Sequence, residues 1–227
     1  MSRTLAILIA GAVIAASAQA RAAAPSLDAV EAQARALSGR IDREADRRAI
    51  EKLQMTYGFY VDKKLWDQVS DLFARNGTME LDNRGVFVGQ ASIRRSLEMF
   101  GPQPIRSGEL FNHMQLQPVV TVAPGGRAAK GRWHAFVQVG ISGGAGEWAE
   151  GVYENAYVKQ DGVWKIAALR YCQTMRTDYD KGWARDAAPA PGTSAAYRPD
   201  RASTGGCTAY PAVAGPAFHF KNPVTGK

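Results

Sequence analysis

Apolar positions at Leu27, Val30, Ala34, Leu37 and Ile41 recur at three- and four-residue spacing and predict a helix with a narrow docking stripe, weakened near its end by Gly39. Ile50, Leu53, Tyr57, Tyr60 and Val61 keep the helical period and predict a second helix. Leu65, Trp66, Val69, Leu72 and Phe73 predict a third, stopped by Asn76-Gly77. Residues 78–88 read as two short strands around the turn-forming Asp82-Asn83-Arg84-Gly85, and residues 92–100 return to helical period until Gly101-Pro102. Beyond that point the pattern is strand-like. Residues 110–122, 127–141, 148–159 and 163–175 are rich in β-branched and aromatic side chains, and Pro124-Gly125-Gly126, Gly143-Gly144 and Asp161-Gly162 separate them as hairpin turns. The order predicts an α+β fold, with helices on one face of a curved sheet built around a four-stranded antiparallel meander. From residue 186 the chain turns to Ala, Pro and Gly, which predicts an extended or disordered tail. Tyr210, Phe218, His219 and Phe220 are costly to leave in water, so its distal part is expected to dock on its own or a neighbouring subunit.

Composition narrows the function classes. The 227 residues carry 28 basic and 21 acidic side chains, a net charge of +7. That excess is spread out. The densest run, Arg40 to Lys52, holds five basic and four acidic residues and nearly cancels, and no basic face is interleaved with aromatics. Nucleic acid is therefore not an expected partner. Two cysteines cannot act as the scaffold of a chain this long. Residues 1–20 read as a signal peptide, with Arg3 as n-region, an apolar stretch over residues 5–18, and Ala18-Gln19-Ala20 as a cleavage pattern. Export to a periplasm or beyond follows, with no membrane association after cleavage. In such a compartment Cys172 and Cys207 either pair or remain two buried thiols, since no spacing fixes their distance.

Three histidines, none at a metal-ligand spacing, and the lack of HxH, HExxH or CxxC make a metal site an unexpected feature. No dinucleotide fingerprint, phosphate loop or Gly-x-Ser-x-Gly elbow is present, so no cofactor is expected either. What remains is acid–base chemistry. Asp62 ends the second helix beside Tyr60 and Tyr57, which lie one turn apart, and a tyrosine hydroxyl can polarise a carbonyl or phenolate. His113 sits mid-strand. His134, Phe136 and Gln138 share one face of the next strand, and Tyr153 and Asn155 share one face of the strand after it. Glu150, Val152 and Glu154 take the opposite face, expected to meet solvent or a subunit interface.

The stretch Tyr57-Gly-Phe-Tyr-Val-Asp-Lys-Lys-Leu-Trp-Asp67, with Gly151-Val-Tyr-Glu-Asn155 and Asp161-Gly-Val-Trp-Lys-Ile166, resembles the SnoaL-like branch of the nuclear transport factor 2-like superfamily over residues 42–185. The stretch Tyr57 to Lys63 and the ending His219-Phe-Lys-Asn-Pro-Val-Thr-Gly-Lys227 are also similar to the subgroup of diarylpropane (γ-formaldehyde) lyases. The resemblance implies a cone-shaped sheet wrapped by the N-terminal helices around an apolar pocket. With that cone domain at 42–185, the residues divide the rest of the chain into a signal peptide (1–20), a helical extension (21–41) and a tail (186–227). The resemblance implies catalytic roles for Asp62 and His113, with Asp62 orienting His113, and the residues themselves add Tyr60 and His134 as catalytic candidates. Tyr57, Phe136, Gln138, Tyr153 and Asn155 then line the substrate site. In scytalone dehydratase, a more distant relative, the second catalytic histidine maps near Gln138, and a pocket serine maps onto Gly151, which implies an enlarged pocket here. The activity implied is a cofactor-independent lyase that removes formaldehyde or water from a small hydroxylated aromatic, lignin-derived diaryl substrate. The alternatives are an exported carrier of a small hydrophobic molecule and a polyketide-cyclase- or isomerase-like enzyme. The helical stripe and the outer sheet face imply a homodimer or homotrimer.

Overall fold

The computed structural model describes residues 25–227 apart from Val213; the expected signal peptide lies outside the described residues. Helix α1 runs unbroken over Leu27–Asp62, followed by the short α2 (Trp66–Asp71). Strands β1 (Phe73–Leu81) and β2 (Val86–Val88) flank the Asp82–Gly85 turn, α3 covers Gln90–Leu97, and a single 3-10 turn spans Glu98–Phe100. Four long strands complete the sheet: β3 (Glu109–Val122), β4 (Ala128–Ile141), β5 (Gly146–Gln160) and β6 (Val163–Asp178). No helix among the described residues is long and apolar enough to cross a membrane.

The α+β class and the meander are as expected, with three differences. The first two predicted helices are one. Gly39 costs a helix interior only about 1 kcal/mol, and the flanking segments supply ion pairs such as Arg47–Glu44 and Arg48–Glu44. The predicted third helix ends early, because Phe73 already belongs to β1, and Asn76-Gly77 falls at an irregularity within that strand rather than closing a helix. Finally, the sheet is open and mixed. Its order is β2-β1-β6-β5-β4-β3, and β1 lies parallel to β6. Ladder irregularities at Leu116/Val119, Glu150/Gly151 and Ala156/Tyr157 bend it.

The inner face of the sheet and the second half of α1 make the core. Ile50, Gln54, Tyr57, Gly58 and Val61 are buried on one stripe of α1, against Trp133, Tyr153, Tyr157, Ile166 and Leu169 from the strands. Gly58 permits the close approach, since a Cβ there would stand 3.0 Å from the His113 carbonyl oxygen. Leu27, Val30, Leu37 and Ile41 in the first part of α1 are exposed.

The tail follows a fixed course. The Asp200 carboxylate accepts hydrogen bonds from the Val88 N–H and the Ser92 hydroxyl, and Ser203 and Thr204 bind buried Glu80. Cys207 is disulfide-bonded to Cys172 of β6. The segment then reaches the outer face of the sheet, where Pro216 accepts from Arg132 and His219 pairs with Glu154. Thus Glu154 meets the protein's own tail rather than solvent.

Candidate active site

A cavity of about 450 Å³ opens between the second half of α1, the Asp82–Gly85 turn, the Glu98–Phe100 turn and the inner faces of β3 to β6. That volume suits a compact organic ligand. Trp66, Phe100 and Phe111 form a contiguous aromatic wall, with ring centroids 5.8 to 6.5 Å apart.

His113 stands at the end of this wall, on β3. Its Nε2 lies 2.8 Å from the Tyr153 hydroxyl, and its buried Nδ1 has no hydrogen-bond partner among the described residues. Tyr57 packs edge-on against both His113 and Tyr153, and Tyr171 closes the group from β6. Burial pulls the imidazole down to about 4, so it is neutral at pH 7. Burial likewise pushes the Tyr57 hydroxyl up to about 12, and Tyr153 and Tyr171 far above the ordinary tyrosine value. All three are therefore neutral phenols at pH 7, and Tyr153 is the one hydrogen-bonded to the imidazole.

Asp82 also lines the cavity, although its sequence suggested only a turn. It is buried, with one carboxylate oxygen accepting from the Gln173 N–H at 2.6 Å. Burial raises it to about 6, against the opposing pull of that hydrogen bond and of Arg84 and Arg176. Around it stand Arg84, Arg176 and Glu147, the last two joined by a two-pronged pair at 2.9 and 2.7 Å.

Of the residues expected at the site, the fold brings together His113, Tyr153 and Tyr57. The others sit elsewhere. Asp62 is half-buried at the end of α1, and its carboxylate accepts from the backbone N–H of His113 at 2.6 Å. It holds β3 against the helix and does not touch the imidazole, so the expected Asp62–His113 side-chain pair is absent. Burial lifts its carboxyl above the ordinary value, opposed by the His113 N–H and Lys63. Tyr60 packs against the core without lining the cavity. His134, Phe136 and Gln138 do share a face, as alternation requires, but it is the outer one: His134 pairs with Glu150, and Gln138 accepts from Asn112 at 2.9 Å. The inward residues of β4 include Trp133, Ala135 and Val137, with Val139 continuing that face along the cavity. Asn155 points inward but belongs to a buried network with Gln54, Tyr157 and the Arg170 N–H. Gly151 does not enlarge the pocket. A Cβ there would overlap the Tyr171 ring, so the space a side chain would have taken is filled by that tyrosine.

Sequence reasoning missed Asp82, Arg84, Tyr171 and Arg176. Tyr171 could have been found by alternation with Leu169 and Gln173 along β6. The other three needed the tertiary fold.

Residues 42–170 match the SnoaL-like domain, and the chain belongs to that family within the nuclear transport factor 2-like superfamily. Among solved structures, it is similar to a scytalone dehydratase-like protein from Novosphingobium aromaticivorans at 18% identity, with a TM-score of 0.56 over 69% of this chain and 97% of that one. It is also similar to the hexachlorocyclohexane dehydrochlorinase LinA-type3 from Novosphingobium barchaimii at 19% identity, with a TM-score of 0.52 over 61% and 93%. A type 2 LinA dehydrochlorinase gives 21% and 0.53 over 61% and 92%. At these identities the likeness is one of fold.

Proposed function

We propose that this protein is a cofactor-independent acid–base lyase acting on a hydroxylated aromatic substrate, in an exported location. The observation that carries the reading is the His113–Tyr153 pair, buried at the end of an aromatic-walled cavity with a neutral imidazole and an unpartnered Nδ1. The Tyr153 hydroxyl can donate or accept, and in the tautomer whose Nε2–H donates to its oxygen the lone pair sits on Nδ1, the form that acts as base. Asp82, held near 6, is the acid. Dehydration and dehydrochlorination, the reactions for which the similar structures are named, are both eliminations. The disulfide suits an oxidising compartment.

Elimination of water would have Nδ1 remove a C–H proton. The electron pair forms the new double bond, and the neighbouring hydroxyl leaves as water with the Asp82 proton. In the formaldehyde variant, Nδ1 takes the hydroxymethyl O–H proton and the carbon–carbon bond breaks to release formaldehyde. The electrons again form the double bond as water departs. One proton is taken and one given, so no redox partner is needed. Aromatic walls keep bulk water from both groups.

The test is turnover of diaryl-propanediols and aryl hydroxyketones, with mass detection of lost water or formaldehyde. His113→Asn and Tyr153→Phe are expected to cut kcat about a hundred- to ten-thousandfold. Full activity in His113→Asn sinks the reading. A carrier would bind the same compounds without turnover.

A further inference from the structure

Arg84 has a property that the acid–base chemistry does not use. It lines the cavity, half-buried, with its guanidinium over the Phe100 ring at 6.0 Å. The other cations of the cavity are committed: Arg176 to Glu147, and Lys64 to Glu109 at 2.9 Å. Arg84 forms no ion pair or side-chain hydrogen bond with any described residue. Burial pulls its guanidinium below the ordinary arginine value, and Asp82 acts on it only at longer range. A half-buried cation without a partner is costly unless a ligand supplies the anion.

The turn that carries Arg84 is fixed in place. The Arg84 N–H donates to the Leu81 carbonyl at 3.2 Å and the Asn83 N–H to that of Pro191 at 3.1 Å, while the Asn83 side chain donates to Cys207 at 2.9 Å. The disulfide-tied tail therefore braces the turn, and Pro191 itself borders the cavity. From Arg84 an aromatic path leads to the base: Phe100 to Phe111 at 5.8 Å, then Phe111 to His113 at 6.4 Å. A ligand ring lying along that wall would place one end at Arg84 and the other near the imidazole.

We propose that Arg84 anchors a carboxylate of the substrate, so that the molecule taken is an aromatic carboxylic acid. This rests on the cavity being the substrate site, as in the acid–base reading above. A planar guanidinium matches a carboxylate with two parallel hydrogen bonds. A phenol is the weaker match, because with a pKa of about 10 it arrives uncharged at neutral pH. The anchor would set the orientation of the substrate and leave the bond to be broken beside His113.

The experiment is equilibrium binding by calorimetry at pH 7.5 on the full mature chain, with 4-hydroxy-3-methoxycinnamate and its methyl ester as probes. The acid is expected to bind about ten- to a hundredfold tighter than the ester, the range of a charge-assisted contact. Arg84→Gln is expected to abolish that preference with ester affinity unchanged, which also reports an intact fold; Arg84→Lys keeps part of it. Equal binding of acid and ester to the wild type, binding of neither, or a preserved preference in Arg84→Gln overturns the proposal. Because no turnover is read, failure of the acid–base reading shows separately, as full activity in His113→Asn.

Discussion

Asp82→Asn is expected to make the protein more stable, by an amount that grows with pH. Asp82 is only 4% exposed, and its burial raises the carboxyl from 3.8 to about 6. The folded state thus binds this proton more tightly than the unfolded chain does. Its favourable contribution is complete below 3.8 and is lost as pH rises through about 6, for a loss of roughly 3 kcal/mol. Asparagine keeps an oxygen for the Gln173 N–H and carries no charge. The variant should therefore exceed wild type by about 1 kcal/mol at pH 4.5 and up to about 3 kcal/mol at pH 7.5. His113 acts with opposite sign. Its folded value of about 4 lies below 6.5, so stability from this group is lost as pH falls through that interval, again by roughly 3 kcal/mol. The two effects nearly offset between pH 4 and 6, so the wild-type profile alone would conceal both. The assay is urea unfolding of variant and wild type at pH 4.5 and 7.5, reading the difference at each pH. On the proposed mechanism the same substitution lowers turnover. A difference that stays constant with pH, or shrinks as pH rises, refutes the burial argument.

Three further outcomes are expected. With neutral His113 as base and protonated Asp82 as acid, kcat/KM should fall on the acid side near pH 4 and on the alkaline side near pH 6; a flat profile from 4 to 8 contradicts these roles. Cys172→Ala/Cys207→Ala opens a crosslink spanning 35 residues and should cost about 4 kcal/mol, with faster protease cleavage beyond residue 186; an unchanged melting temperature speaks against a bracing tail. Gly151→Ala should cost about 1–3 kcal/mol, because its Cβ overlaps the Tyr171 ring, and a second substitution, Tyr171→Leu, should recover part of that loss in the same melt.

Local pattern determined the four long strands and the inward helix face of this protein, but not that the first two helices are one. Turn chemistry at Asp161-Gly162 and Gly143-Gly144 placed the hairpins of the meander, and the period of Ile50, Tyr57 and Val61 marked the inward face of α1. It placed Tyr57 one turn from Tyr60 on that face, whereas His113 and Tyr153 came forward through the family resemblance. Local pattern could not decide which face of β4 points inward. That depends on how the strand registers against β3 and β5, and it sends His134 outward while Trp133 and Val137 face the core. Nor could it reveal the parallel pairing of β1 with β6, a contact between segments far apart in the chain that no local signal encodes. That pairing carries the Asp82–Gly85 turn to the cavity, and the Cys172–Cys207 bond brings the tail back to brace it. Asp82 and Arg84 are turn residues by sequence, and only burial, a property of the assembled fold, raises the carboxyl of one and leaves the other half-buried with no ion-pair partner among the described residues.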